Sequence, residues 1–580
     1  MFNLLKRYLK DCWVQMLIII IFIIGQAYTQ TSLPGYLKQI MDQGVAKGDM
    51  ACIGRIGAIM LGMTVTMGIC MAVAGYFSAY VTAKFTTQIR ADIFKKTQSF
   101  SDLDYQNFSK ESLLSRASSD ATQMQMVVIN MLRSATLVPF VAIFTFVRCV
   151  LMDAPLSLIL GGGFVLSVLL MRRANVLSMP KFMELQQKMD RIGTLMNEKL
   201  TGARSIRAFS RQEYEIEKLT KADRQALDTA LDANRIINLI NPLVQVLMNL
   251  VVVVILMAGP VQMKRGLINL SGLIVYIQYS IQLAAGFAMV MMILNNLPRC
   301  EVSAARIREV LDYESKDTVL TEPRSVDAPK GEIRFQDVYF GYSGAHDMVL
   351  EEINLTIPAG RTTAIVGATG SGKSTLLKLI PQFYGTQFYG SILIDGVDTK
   401  EMKPHELREL ISYAPQKAVV FSGTVESNLR MAKPDATLED IKKACDMAMV
   451  TEFLEAKNAG PEFELIQGGG NLSGGQGQRL SLARAFMKDA PIYLLDDTFS
   501  ALDFKTDAAV RAAMYRELAG KTIVVVAQRI STIMSADQIV VLDKGRIIAT
   551  GTHRELLAGC DVYREIYETQ VSQNGKEAAS

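Results

Sequence analysis

The chain has 580 residues, half of them hydrophobic and only 20% charged, with a mean hydropathy of +0.21. A soluble protein carries roughly 25% charge, so the composition excludes a purely soluble array, along with disorder, collagen-like repeats and a disulfide-built secreted scaffold. Sixty-one basic against 57 acidic side chains leave +4, too near balance for a nucleic-acid partner. What remains is a membrane protein carrying a soluble part.

Apolar stretches run over 13–34, 54–82, 127–152, 155–175, 236–262 and 267–297. A bilayer core of about 30 Å needs about 20 helical residues, so each can span it. Lys6, Arg7 and Lys10 precede the first stretch in the manner of a signal peptide, but no small-residue cleavage site follows and five more spans do. Six spans return the chain to its starting side. The long segments 83–126 and 172–235 are rich in Lys and Arg, whereas the connection at Asp153–Pro155 has none. By the positive-inside tendency both termini and both long segments are expected in the cytosol. Within 181–235 Met183, Leu185, Met189 and Ile192 recur at helical spacing, which predicts helices continuing out of the membrane. Turns are expected near 103–107 and 209–213. The alternative is amphipathic packing within the membrane domain alone.

Residues 1–315 are therefore expected to form the membrane domain, and 316–331, with Pro323, Pro329 and Gly331, a linker. Short strands alternate with helices over 332–568, predicting an α/β domain with a largely parallel sheet. Residues 569–580 are expected to form a flexible tail. Seven cysteines stand singly without a CxxC, and only three histidines exist, His346, His405 and His553. Neither a zinc site nor a disulfide frame follows.

A strand-like run over 361–366 leads into Gly367-Ala-Thr-Gly-Ser-Gly-Lys-Ser374 and then a helical stretch from Thr375. This is the P-loop pattern in its strand–loop–helix setting. Backbone N–H groups around Gly367, Thr369, Gly370, Ser371 and Gly372 would wrap phosphates at a positive helix N-terminus. Lys373 would reach the β- and γ-phosphates and Ser374 would bind Mg²⁺. The alternative is a turn that binds no nucleotide. An apolar strand over 491–496 ends in Asp496, as a carboxylate partner of Mg²⁺ should.

Between these motifs lies Leu472-Ser-Gly-Gly-Gln476, with Gln416 before it and Ser500–Asp503 after. In this order the motifs make nearly the whole chain resemble an ATP-binding cassette (ABC) exporter half. The fold class implied is an α-helical membrane domain, of six transmembrane helices extended into the cytosol, plus an α/β P-loop ATPase domain of the ABC type. The resemblance implies ATP and Mg²⁺ as cofactors, bound by the P-loop residues with Thr375. It implies Tyr342 as the aromatic stacking on adenine, with a core tyrosine as the alternative, and Gln416 sensing Mg²⁺ and the γ-phosphate. Ser374, Gln416 and, through water, Asp496 would hold the metal. Ser473, Gly475 and Gln476 would cap the γ-phosphate on the opposite subunit, and Asp503 would couple the two sites.

Two departures stand out. Where such exporters carry a glutamate after the Mg²⁺ aspartate, this chain has Asp497; where they carry a histidine, it has Gln528. A weaker oddity is Gln467, at a position where many relatives have glutamate. The shorter carboxylate retreats by roughly 1.3 Å, against a working reach of about 2.6–3.2 Å for a general base. A glutamine cannot carry a proton. The pattern resembles the degenerate-site subunit of bacterial heterodimeric multidrug-type exporters, in the plasma membrane, paired with a second half-transporter that is complete. It implies a translocase for drugs, lipids or small amphipathic compounds. Alternatives are a dedicated physiological cargo such as a peptide, or a nucleotide-gated regulatory subunit. Arg133, beside Asn130, is either a pathway residue or a charge satisfied by another helix. Arg148 lies toward the outer end of the same span. Tyr276, Gln278, Tyr279, Gln282, Met289, Met292 and Asn296 are candidate cavity residues on the sixth span, or packing residues.

Overall fold

The computed structural model describes residues 1–314, 323–342 and 347–577. The chain forms two compact units, one of Met1–Gln98 with Glu111–Tyr313, the other of Ser99–Lys110 with the chain from Glu314 onward.

The first unit contains six helices long and apolar enough to cross a membrane: Leu4–Val45, Met50–Gln98, Lys110–Met152, Ala154–Thr201, Gln212–Lys264 and Leu270–Leu311. At 1.5 Å per residue their 42 to 53 residues reach roughly 60–80 Å, about twice a bilayer core. The helices therefore continue well past the membrane, as expected for 83–126 and 172–235. Asp153 starts the fourth by accepting the Leu156 N–H at 2.8 Å, with Pro155 in the first turn where its missing N–H costs nothing. Beyond the apolar stretch, the fourth and fifth helices pair through small residues, with Ala226, Thr229 and Ala233 buried. Lys188 Nζ donates to Thr229 Oγ1 at 2.6 Å, and Lys199 is ion-paired with Glu215 at 3.2 Å. The two helices turn through a short helix, Ala203–Ala208, and a left-handed Ser210 at φ 51°.

The second unit contains twelve strands among the described residues. They are β1 (Ile333–Phe340), β2 (Leu350–Ile357), β3 (Thr362–Val366), β4 (Tyr389–Ile394), β5 (Val397–Asp398), β6 (Ile411–Ala414), β7 (Gly423–Thr424), β8 (Glu464–Leu465), β9 (Ile492–Asp496), β10 (Thr522–Val526), β11 (Gln538–Asp543) and β12 (Arg546–Gly551). An antiparallel sheet has the order β2-β1-β4-β5, β7 pairs with β8, and the main sheet runs β12-β11-β3-β10-β9-β6. In the main sheet β12 is antiparallel and the rest are parallel. Strands β3, β9 and β10 are buried at every residue, as apolar runs in a sheet covered on both faces must be. Their carboxyl ends carry the P-loop, Asp496–Asp497 and Gln528.

The segment Ser99–Lys110 belongs to this unit. It forms a one-turn helix, Asp104–Asn107, close to the turn expected at 103–107. Leu103 is buried in the core that includes Phe335, Leu376 and Tyr384, and the Asp102 N–H donates to Phe383 O at 2.7 Å. The expected linker lies outside the described residues over 316–322; over 323–331 it has neither helix nor strand. The expected flexible tail differs. The last helix, Asp561–Glu577, runs through it from 569 to 577, because Tyr563, Ile566 and Tyr567 place one face of that helix on the core.

Candidate nucleotide site

Strand β3 releases the chain into a loop that only glycine can make at two points. A Cβ on Gly367 would lie 2.0 Å from Leu542 O, and Gly372 adopts φ 101° with Val349 O at 3.1 Å from a would-be Cβ. The helix Lys373–Leu379 begins there. Lys373 is buried, its Nζ donating to Gly367 O at 2.8 Å and Ala368 O at 2.7 Å. Burial pulls its pKa down, while the charges of Asp497 and Asp496 oppose the shift. Ser371 Oγ is buried with no hydrogen-bond partner among the described residues. Thr369 and Gly370 stand at the exposed rim. An ammonium, an orphaned hydroxyl and a helix N-terminus converging on one loop suit a polyphosphate.

Asp496 ends β9 almost fully buried. Its Oδ1 accepts Ser374 Oγ–H at 2.7 Å and its Oδ2 accepts Tyr413 O–H at 3.2 Å. Burial, then the Asp496 charge, raises the Tyr413 phenol above its ordinary range, so it stays a donor. Ser374 and Asp496 are hard oxygen donors already in contact, a set that fits Mg²⁺, which takes one or two protein oxygens and completes its shell with water and phosphate.

Asp497 follows in a left-handed turn at φ 50°, its N–H bonded to Val526 O at 3.0 Å. Its Oδ2 accepts from two amides, Gln416 Nε2 at 3.3 Å and Gln528 Nε2 at 2.8 Å. Burial raises its pKa; the Gln416 and Ser500 hydrogen bonds oppose this and the Asp496 charge adds to it. Gln416, a metal ligand by resemblance, is thus brought to Asp497 rather than to Ser374 or Asp496. Gln528 is held from behind: Gln570 Nε2 donates to Gln528 O at 2.7 Å, and Gln570 Oε1 accepts the Ile530 N–H at 2.8 Å.

Tyr342 lies beside the loop, its hydroxyl 2.9 Å from Thr375 Oγ1 and 3.1 Å from Tyr384 OH, edge-on to the rings of Phe340 and Tyr384. In this arrangement it is a half-buried cluster residue whose ring is engaged by its neighbours. The signature residues form a separate feature. Ser473 and Gln476 make a reciprocal capping box at the start of the helix Gly474–Met487, and a Cβ on Gly475 would lie 3.0 Å from Ala501 O. Asp503 Oδ1 accepts the Thr506 N–H at 3.0 Å as the cap of Phe504–Glu517. Among the described residues no hydrogen bond joins Ser473, Gly475, Gln476 or Asp503 to the P-loop. Gln467 is exposed, and His553 packs on Tyr563 and Tyr567, its Nδ1 2.8 Å from the Tyr563 hydroxyl.

In the membrane unit a cavity of about 640 Å³ is lined by apolar side chains such as Leu137, Val141, Phe164 and Met289, with the amides of Gln278 and Gln282 among them. Four expected cavity residues are not in it. Tyr276 OH donates to Cys149 O and Asp153 O, and Tyr279 OH to Thr31 O, so both tyrosines are buried struts between helices. Met292 is exposed outside the cavity, and Asn296 Nδ2 donates to Met292 O. Arg148 is satisfied by Ser32 Oγ at 2.6 Å and the Tyr28 ring. Arg133 is exposed on a one-turn π-helix, Met131–Ala135.

Six long apolar helices joined to an ATPase sheet with a P-loop define a membrane transporter driven by nucleotide. The model of the ABC transporter transmembrane region matches residues 16–287, and that of the ABC transporter matches 350–500. An uncharacterized ABC transporter ATP-binding protein of Mycobacterium tuberculosis is 36% identical over 93% of both chains, and one of Bacillus subtilis 31% over 97% of both. An ATP-dependent lipid A-core flippase of Thiobacillus denitrificans is 28% identical over 99% of both. The solved structure of a bacterial Atm1-family ABC exporter with ATP bound shares the fold, with a TM-score of 0.82 at 20% identity, over 97% of this chain and 99% of that one. The chain belongs to the ABC transporter family, as an ATP-hydrolysing half-transporter with its transmembrane region and ATPase domain in one chain.

Proposed function

We propose that this chain is the degenerate-site half of a heterodimeric exporter in a bacterial plasma membrane, its termini in the cytosol. The observation that carries the reading is the surroundings of Asp497. Its carboxylate is short, buried, and takes two carboxamide donors on one oxygen, with neither a longer base nor an imidazole beside it among the described residues. Orienting and deprotonating water is typically worth about 10²–10⁴-fold, and this arrangement forfeits much of that. The phosphate and Mg²⁺ groups, Lys373, Ser374 and Asp496, remain in order. ATP therefore binds here and turns over slowly.

In the family, two nucleotides are sandwiched between the P-loop of one subunit and the signature of the other. Paired with a complete half-transporter, this chain supplies Ser473, Gly475 and Gln476 to the partner's site, which does the hydrolysis. Asp503 serves the interface; Gln416 has to leave Asp497 to reach the metal, and Tyr342 has to turn from Phe340 and Tyr384 to stack on the adenine. Closure of the nucleotide units drives alternating access in the spans. An apolar cavity with glutamine amides supports small amphipathic compounds as cargo. Steady-state Mg-ATPase of the purified full chain, alone and with the half-transporter encoded beside it, tests the reading. The expected result is negligible turnover alone and robust turnover together, lost when the partner's catalytic glutamate is removed. Brisk turnover by this chain alone, abolished by Asp497→Asn, would overturn it.

A further inference from the structure

On the last helix Tyr563, Ile566, Tyr567 and Gln570 fall at i, i+3, i+4 and i+7, one continuous face. The first three pack on the core of the nucleotide unit, and Tyr563 is fully buried with its hydroxyl 2.8 Å from His553 Nδ1. Gln570 is the polar member of that face. Its carboxamide makes two hydrogen bonds to the main chain on either side of Arg529, donating to Gln528 O and accepting from Ile530 N–H. The Ile530 N–H opens the short helix Ile530–Ile533 and has no partner within that helix, so Gln570 caps it from outside. The backbone it fixes carries the side chain that donates to Asp497 Oδ2.

We infer that Gln570 is a positioning residue for the nucleotide site: the terminal helix holds the 528–530 loop so that Gln528 stays engaged at Asp497. Loss of the clamp frees the 528–530 main chain and lets the Gln528 amide leave the carboxylate. Residence of ATP at this chain's own P-loop then depends on a side chain far along the sequence. The inference rests on the proposal that this chain retains ATP there.

The test uses the full-length chain, purified from the membrane in its native assembly, loaded with radiolabelled 8-azido-ATP, chased with cold ATP and photolabelled at intervals. Label retained on this chain in the unsubstituted protein tests the underlying reading by itself; the variants test the clamp. Gln570→Met keeps the length and apolar stem of the side chain and removes both hydrogen bonds, and Gln570→Glu keeps only the acceptor. Retention is expected to shorten about fivefold in Gln570→Met, Gln570→Glu and Gln528→Ala, and no further in the double variant Gln528→Ala with Gln570→Met. Melting temperatures should stay together. Unchanged retention in either Gln570 variant would overturn the inference, as would multiplicative loss in the double variant. So would a fall in melting temperature that accounts for the loss, restored retention on cooling being its sign.

Discussion

On one wall of the nucleotide site, Lys373 sits inside a loop of carbonyls and Asp496 is shared between a hydroxyl and a phenol. On the other, Asp497 Oδ2 takes two carboxamide donors. The first wall is made of groups that bind charge: an ammonium, hard oxygens and a helix start. Among the described residues the second has polar groups of the right size but, apart from the short carboxylate, no acid or base. The two walls therefore differ in chemistry although they meet at the end of β9, where Asp496 faces the first and Asp497 the second.

The sharpest way to break this contrast is to rebuild the second wall. Asp497→Glu combined with Gln528→His is expected to raise single-turnover hydrolysis at this chain's site by about 100-fold, measured with the partner's catalytic glutamate disabled. No gain would mean that the defect lies elsewhere. A smaller effect is expected on the first wall: Lys373→Ala should weaken ATP binding to this chain by about 10- to 100-fold, read by equilibrium binding of a fluorescent ATP analogue. Asp497→Asn should leave that affinity within about twofold, because the amide oxygen can still accept from Gln528 and Lys373 is untouched. The smallest is Tyr413→Phe, which takes one donor from Asp496 and should raise the Mg²⁺ concentration for half-maximal ATP retention about threefold.

Much of the architecture was legible because it is local. Six apolar stretches and a glycine-rich loop after a strand are short-range patterns with direct physical causes. Candidate site residues could be named from the motifs, but not their contacts. Tyr413 lies three residues before Gln416, and nothing in spacing shows that β6 lies beside β9 and brings that hydroxyl to Asp496. Gln570 fell in a stretch read as tail, although Tyr563, Ile566 and Tyr567 already give it helical periodicity. That signal was available. Tyr276 and Tyr279 mislead for another reason: a tyrosine in a membrane helix serves a cavity and a helix joint equally well, and only the carbonyls facing it decide which.

The burial of Leu103 among Phe335, Leu376 and Tyr384 also bears on how the protein can be cut. A fragment beginning at Glu314 contains every strand and every nucleotide motif, yet it lacks the side chain that fills this part of its core. Emptying a buried leucine site costs about 2–5 kcal/mol, a large share of what holds a domain folded. The ATPase is thus a discontinuous domain, finished by a stretch of chain that leaves the ribosome long before the rest of it. During synthesis that stretch must wait, its leucine uncovered, until the sheet it completes has been made.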